Sequence, residues 1–272
     1  MMNEQRIAVI LPAAGLGSRF GGSKIELELG SVPVFLRAAQ LFLARPEVVC
    51  VILAVNPETL EDFRFKWGDQ LALMNVTLVP GGRRERWETI KLALAHVPDD
   101  CTHVAVHDAA RPLTSDALID RVFCAAQKYR AVIPALPTSA TLKRVGKPLD
   151  SSGEADAIDA LLDIEPQADR VQPVLATVDR TDVVEVQTPQ VFERALLCQA
   201  YEAMDEDTSV TDDAGLVEAL GEQVVVVEGE STNLKITRPA DAELAHAIAA
   251  LRQTQAQTHE VKALFLDDDE DD

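Results

Sequence analysis

The sequence predicts an α/β fold built on a doubly wound, mostly parallel sheet, and three observations predict it. Apolar runs at 6–11, 48–55, 76–79, 103–107 and 131–135 alternate with stretches of helical apolar spacing, such as 34–45, 85–96 and 115–129. That rhythm belongs to parallel strands joined by crossover helices. The chain is 47% hydrophobic but only 4% aromatic, which suits the aliphatic interior of a sheet covered on both faces. The first apolar run opens straight into a loop of small residues, at the strand end where such sheets keep their ligand crevice. At 272 residues one large core is expected, so 1–254 read as a single domain.

Taking the elements in order, Ile7-Ala8-Val9-Ile10-Leu11 has no polar alternation and reads as a strand buried on both faces. It continues into Pro12-Ala13-Ala14-Gly15-Leu16-Gly17-Ser18-Arg19. Ala13, Ala14, Gly15 and Gly17 carry almost no side chain, so their backbone N–H groups can approach an anion, while Arg19 and Lys24 bring the charge a triphosphate needs. The third glycine of the dinucleotide fingerprint is missing, and no Gly-Lys-Ser/Thr follows as in a P-loop. A tight packing turn is the plain alternative; the paired cations favour a phosphate ligand.

Farther along, Gly81-Gly82-Arg83-Arg84-Glu85-Arg86-Trp87-Glu88-Thr89-Ile90 follows a short strand and opens a helix whose N-terminus can face a polar ligand. Arg83 and Arg84 read as a solvated basic face, whereas Arg86 and Thr89 recur on one side and can point inward. In Val104-Ala105-Val106-His107-Asp108-Ala109-Ala110-Arg111-Pro112 a buried strand delivers an acid and then an arginine to the same sheet edge. Asp108 suits Mg²⁺ or another divalent cation, which takes one or two protein carboxylates beside substrate phosphates and water. The competing reading makes Asp108 a turn cap or the partner of Arg111. His107 reads as a residue that orients the loop.

The pattern breaks between about 138 and 178, where Pro137, Pro148, Ser151-Ser152-Gly153, Pro166 and Pro173 punctuate a polar, acidic segment with a short helix-like piece, Ala155 to Ile164. We read an arm that leaves the sheet. Order returns with a strand at 183–187, a helix from Phe192 to Met204, another from Asp212 to Leu220 with Thr211 or Asp212 as its N-cap, a strand at 223–227 and a last helix after Pro239. Residues 255–272 read as an acidic, solvated and disordered tail.

With 45 acidic against 25 basic residues the net charge is −20, and Asp267 to Asp272 are acidic without a break. This disfavours a nucleic-acid partner or an anionic membrane surface, and it requires any anionic substrate to be held by a local cluster of Arg and Lys. Cys50, Cys101, Cys124 and Cys198 form no C-x-x-C pair, so buried thiols in a reducing compartment are expected and zinc is not. No charged n-region with a following apolar stretch opens the chain, and no apolar run approaches ~20 residues. The expectation is a cytoplasmic protein with no signal peptide and no membrane contact.

In this order the segments resemble the 2-C-methyl-D-erythritol 4-phosphate cytidylyltransferases of the non-mevalonate isoprenoid pathway. The likeness covers roughly 6 to 250. It runs through the Pro-Ala-Ala-Gly-x-Gly-x-Arg loop, the Gly-Gly…Arg-x-x-Thr turn and Val-His-Asp-Ala-Ala-Arg-Pro, then Thr141 and Lys143, Asp179-Arg180, Thr188-Pro189-Gln190, Thr211-Asp212-Asp213 and Asn233-x-Lys235-x-Thr237-Arg238-Pro239. The resemblance implies transfer of CMP from CTP to a methylerythritol phosphate with release of pyrophosphate. It also implies a homodimer whose protruding β-arms, about 138–178, complete each other's sites.

On the same resemblance, Pro12, Ala13, Ala14, Gly15, Gly82 and Thr89 surround cytosine and ribose. Arg19 and Lys24 hold the triphosphate, and Asp108 with Lys235 the metal and α-phosphate. Arg111, Thr141, Arg180 and Thr188 face the sugar phosphate, Thr141 and Arg180 being contributed across the dimer. Some positions depart from the family pattern: Ser23 and Ile25 replace its Pro and Gln around a shortened loop, and Ala140 replaces its Asp. The Gly-Gly turn is one residue longer and carries Thr89 in place of serine, and an insertion covers much of 148–170. The altered arm also suits ribitol 5-phosphate as acceptor, and a catalytically silent nucleotide-binding homologue is a reading of another class. Intact Arg19, Lys24, Asp108 and Lys235 count against silence. The reaction itself needs no nucleophilic side chain, because an already ionised phosphate oxygen attacks the α-phosphorus in line and the protein mainly positions and neutralises.

Overall fold

The computed structural model describes residues 5–15, 24–149, 171–204 and 210–266. The chain divides into a larger unit, Met1–Leu136 with Val186–Asp272, and a smaller one, Pro137–Glu185.

The larger unit is built on β1 (Ile7–Ala13), which pairs in parallel with β4 (Val48–Val55) on one side and β6 (His103–Val106) on the other. Because its side chains alternate, Ile7, Val9 and Leu11 enter one apolar cluster while Ala8 and Ile10 enter the other. Both faces are therefore covered, and each fully buried aliphatic side chain contributes about 1.5–3 kcal/mol of transfer free energy. The first cluster is completed by Phe35 and Phe42 of α1 (Val34–Leu43), Phe63 and Leu71 of α2 (Leu60–Leu73) and Leu118 of α4 (Asp116–Ala126). The second takes Ile90 of α3 (Arg86–Leu94), Leu196 of α5 (Arg194–Glu202) and Leu216 of α6 (Asp213–Ala219). Helices on both faces of a mainly parallel sheet are the doubly wound arrangement the alternation predicts.

The sheet continues from β4 to β5 (Val76–Pro80) at one edge. On the other side of β6 lie β11 (Gln190–Glu193), antiparallel, and β7 (Ala131–Pro137), with β12 (Val225–Glu228) parallel to β7. A small pair, β2 (Glu28–Leu29) and β3 (Val32–Pro33), precedes α1, and β10 (Val184–Val186) spans the boundary of the two units. Local chemistry sets the helix ends. Ser115 and Asp212 accept the amides of Leu118 and Gly215 at 3.0 and 3.1 Å and start α4 and α6, and Gly221, at φ +77°, ends α6 in the left-handed region that a side chain would resist.

Two expectations need correction. Phe192 does not begin a helix: Gln190–Glu193 form β11, and α5 starts only at Arg194. A four-residue strand abutting a helix leaves no break in the apolar pattern. The last helix, α7 (Pro239–Leu266), runs through 255, where the tail is expected to begin; Ala and Gln with no Gly or Pro let it propagate. Residues 267–272 lie outside the described ones.

In the smaller unit β8 (Leu142–Val145) and β9 (Val174–Val178) form an antiparallel ribbon with Leu142 opposite Val178 and Lys143 opposite Thr177. Lys143 donates to the Thr177 hydroxyl at 2.6 Å, and Gly146 and Leu149 extend the pairing to the carbonyls of Pro173 and Val171, each at 2.9 Å. The unit runs from Pro137 to Glu185. The helix-like piece Ala155 to Ile164 lies outside the described residues.

Candidate active site

Parallel strands place their carboxyl ends on one edge, so the loops after β1, β5 and β6 meet there. Their meeting forms a cavity of about 430 Å³ lined by Pro12, Ala13, Ala14, Gly15, Gly82, Arg86, Thr89, Asp108, Lys235 and Thr237. All six residues expected around the nucleotide are in this wall, together with Asp108 and Lys235.

Small residues are needed where the first two loops touch. A Cβ on Gly81 would lie 2.7 Å from the Cβ of Ala14, and one on Gly82 would lie 2.3 Å from the Cβ of Glu88. Both distances are well inside van der Waals contact. The turn is then fixed by hydrogen bonds: the amide of Gly82 donates to the Thr89 hydroxyl at 3.0 Å, and Glu88 accepts the amides of Arg83 and Arg84 at 3.1 and 3.0 Å. Arg83 and Arg84 are exposed yet line the cavity, and the half-buried Arg86 lines it with them.

Asp108, immediately after β6, is the electrostatic centre. Its Oδ2 lies 2.9 Å from Lys235 Nζ and 3.3 Å from Arg111 Nε, while Oδ1, among the described residues, faces Arg86 Nε at 3.6 Å. Burial opposes the charge on this carboxyl, but Lys235, Arg86 and Arg111 outweigh it and hold the group well below the usual carboxylate range. Arg86 also donates to Asp213 at 2.8 Å. Burial again works against the charge, and Asp213 and Asp108 overcome it, so Arg86 stays protonated.

A second set of bonds fixes Asp108 from behind. Its amide donates to the Thr188 hydroxyl at 3.0 Å, and that oxygen lies 3.1 Å from His107 Nδ1. On the other side of the ring, His107 Nε2 lies 3.0 Å from the carbonyl of Arg111. These contacts assign the proton to Nε2, since Thr188, accepting from Asp108, donates to Nδ1. Burial pulls the His107 pKa down to about 4, so the ring is neutral at pH 7 and acts as a brace. Arg111 donates to the carbonyl of Asn233 at 2.6 Å.

Asn233, 1% exposed, donates to the Thr188 carbonyl at 2.9 Å and to Gln187 Oε1 at 3.2 Å, and accepts from Thr114 at 2.8 Å. This anchorage is what sets Lys235, two residues on, against Asp108. The roles of Asn233, Glu88 and Asp213 are absent from the sequence reading. Each depends on a partner remote in the chain or around a turn.

Other expected residues fall elsewhere. Arg19 lies outside the described residues, and Lys24 begins a short 3₁₀ turn, Lys24–Glu26, with its side chain likewise outside them. Arg111 and Thr188 stand behind Asp108 with their polar atoms engaged in its support. Thr141 and Arg180 belong to the smaller unit and are exposed; Arg180 donates there to the carbonyl of Ser139. Among the described residues no three His, Cys, Asp or Glu side chains gather as a metal cage. One carboxylate with an oxygen left over fits a divalent ion carried mainly by phosphates and does not fit a structural metal.

A family model described as 2-C-methyl-D-erythritol 4-phosphate cytidylyltransferase matches residues 7–157 and 149–252. A curated relative of that name from Frankia casuarinae is 40% identical over 248 residues, covering 90% of this chain and 82% of the relative. Solved structures agree. The 2-C-methyl-D-erythritol 4-phosphate cytidylyltransferase of Thermus thermophilus superposes with a TM-score of 0.68 at 30% identity, over 90% of this chain and 100% of that one. The 4-diphosphocytidyl-2C-methyl-D-erythritol synthase of Anaerococcus prevotii gives 0.71 at 27% identity, over 92% and 98%.

Proposed function

The chain belongs to the 2-C-methyl-D-erythritol 4-phosphate cytidylyltransferase family, and from that premise we propose how its residues divide the work. It transfers a cytidylyl group from CTP to 2-C-methyl-D-erythritol 4-phosphate, in the non-mevalonate route to isoprenoids. The observation that carries the assignment of roles is Asp108, held by Lys235 and Arg111 through Oδ2 in the wall of the cavity.

Pro12, Ala13, Ala14, Gly15, Gly82 and Thr89 enclose cytosine and ribose, the small side chains leaving room for the base. Arg19, Lys24 and Lys235 neutralise the triphosphate. A phosphate oxygen of the acceptor, ionised at neutral pH, attacks the α-phosphorus; its new P–O bond forms as the bond to pyrophosphate breaks, and pyrophosphate leaves with that electron pair. No proton has to move. The task of the protein is therefore to bring two polyanions into line and stabilise the charge gathering on the equatorial oxygens, where cations placed in advance do most. Asp108 would hold a divalent ion, Mg²⁺ or a similar one, which supplies charge neutralisation at the phosphates when bound.

Thr141 and Arg180 meet the acceptor phosphate across a homodimer, while Arg111 and Thr188 act from behind Asp108, whose carboxylate and amide they hold. The ribbon supports this reading: Val174 and Leu175 are 60% and 62% exposed, and a two-stranded ribbon has no core of its own. Four free thiols and the use of CTP fit a reducing, nucleotide-rich cytoplasm. Among the described residues no helix is long and apolar enough to cross a membrane. Pyrophosphate release measured for each nucleoside triphosphate, with methylerythritol phosphate or ribitol phosphate as acceptor, tests the assignment. CTP with methylerythritol phosphate gives the highest kcat/KM; a preference for ribitol phosphate would overturn the choice of acceptor.

A further inference from the structure

Among the described residues Asp108 has one oxygen closely engaged and the other met only by a long ion pair, from an arginine that is tied elsewhere. Arg86 Nε stops 3.6 Å from Asp108 Oδ1, while its NH1 donates to Asp213 Oδ2 at 2.8 Å. A shift of under ~1 Å would bring Nε to ordinary hydrogen-bond distance. Asp213, 1% exposed, cannot follow such a shift, because its other oxygen accepts the Tyr201 hydroxyl at 2.5 Å. Tyr201 is itself buried, and burial together with Asp213 raises its pKa, so it remains a donor. The pair Asp213–Tyr201 thus forms a fixed post at the rear of the site.

We propose that Asp213 is a positioning residue that holds Arg86 back from Asp108 and so keeps Oδ1 available to the divalent ion that accompanies the nucleotide. The inference rests on the assignment of the metal to Asp108. If the post is removed, Arg86 closes on Oδ1 and competes with the metal for the same oxygen. Asp213 then acts on metal affinity through Arg86 and leaves the chemical step untouched.

The test is retention of Mn²⁺ by the full chain in the presence of CTP without acceptor, read as the loss of the free-ion electron paramagnetic resonance signal beyond that caused by the same CTP without protein, so that no turnover is involved. D213N keeps the volume and a partner for Tyr201. It should raise the half-saturating Mn²⁺ concentration by roughly tenfold, the scale of a partly buried charge pair gained by the competing state. Adding R86Q to D213N should return it to the value of R86Q alone. In turnover assays the deficit of D213N should vanish at high Mg²⁺, whereas a purely structural role would lower kcat at every Mg²⁺ concentration. Native half-saturation in a folded D213N, or no recovery in the double variant, overturns the proposal. Should D213N fail to fold, R86Q alone decides: half-saturation at or below the native value supports the competition, and a rise overturns it. D108N separates the two readings. If it still retains Mn²⁺, the metal assignment itself fails; if it loses Mn²⁺ while D213N does not, only the role of Asp213 fails.

Discussion

Asp108 and Arg180 are both charged residues assigned to the same reaction, yet the two units present them in opposite ways. In the larger unit Asp108 has a side chain 10% exposed, three cations around its carboxylate and its amide pinned to Thr188. In the smaller unit Arg180 is exposed and rests on one backbone carbonyl, with Thr141 bare beside the ribbon. The contrast extends to apolar groups: β1 buries every aliphatic side chain, whereas β9 leaves Val174 and Leu175 in solvent. The nucleotide side of the site is therefore organised before any ligand arrives. In the proposed homodimer the acceptor side would gain its surroundings only on assembly, and ordering it would draw on association free energy.

The largest effect is expected at the organised side. Asp108→Asn should lower kcat by about 10³-fold at saturating CTP, the scale of removing a fixed electrostatic group from a phosphoryl-transfer site; unchanged pyrophosphate release would remove Asp108 from the reaction. The assembled side is tested by mixing. An Arg180→Ala chain and an Asp108→Asn chain, each nearly inactive, should together recover roughly a quarter of native activity after random exchange, since half the dimers then hold one intact site of two. Continued inactivity despite demonstrated exchange would show that Arg180 serves its own subunit or none.

Stability sharpens the same contrast. Asn233→Ala removes a buried knot that joins three loops and should cost about 3 kcal/mol in denaturant unfolding; a cost near zero would mean the site's rear wall is held by packing alone. The pH dependence follows from His107, whose folded pKa of about 4 lies below its unfolded value near 6.5. That group's stabilisation is complete above 6.5 and falls away as pH drops through the window to 4, because only the unfolded chain takes up the proton there. At pH 5.5 the loss amounts to about 1.4 kcal/mol, and His107→Gln should flatten that part of the profile. The smallest effect belongs to the ribbon: Thr177→Ala, which deletes the exposed bond to Lys143, should change stability by less than about 0.5 kcal/mol.

Much of the larger unit is legible in the chain because buried parallel strands write uninterrupted apolar runs and the loops after them carry small residues and charges together. Where a residue's role depends on a distant partner, legibility fails. Thr211-Asp212-Asp213 yields the N-cap, Asp212, but the meaning of Asp213 lies in Arg86, 127 positions away. Likewise β11 is a strand because Val191 and Phe192 find edges on β6 and β7, which no local pattern announces. Arg111 and Thr188 are readable as charged or polar groups near the site; that their polar atoms brace Asp108 becomes visible only once the loops are folded together.

The contact between Ala14 and Gly81 also bears on redesign. With a Cβ at position 81 lying 2.7 Å from that of Ala14, enlarging either residue pushes on the other. A library that varies these loops one position at a time to change base preference should return mostly inactive clones. Because a Cβ at 81 would also meet Thr89 Cγ2 at 2.9 Å and the Val55 carbonyl at 3.1 Å, productive variants should keep Gly81 and change Ala14 only together with its other neighbours, so the landscape for nucleotide choice is epistatic at its first step.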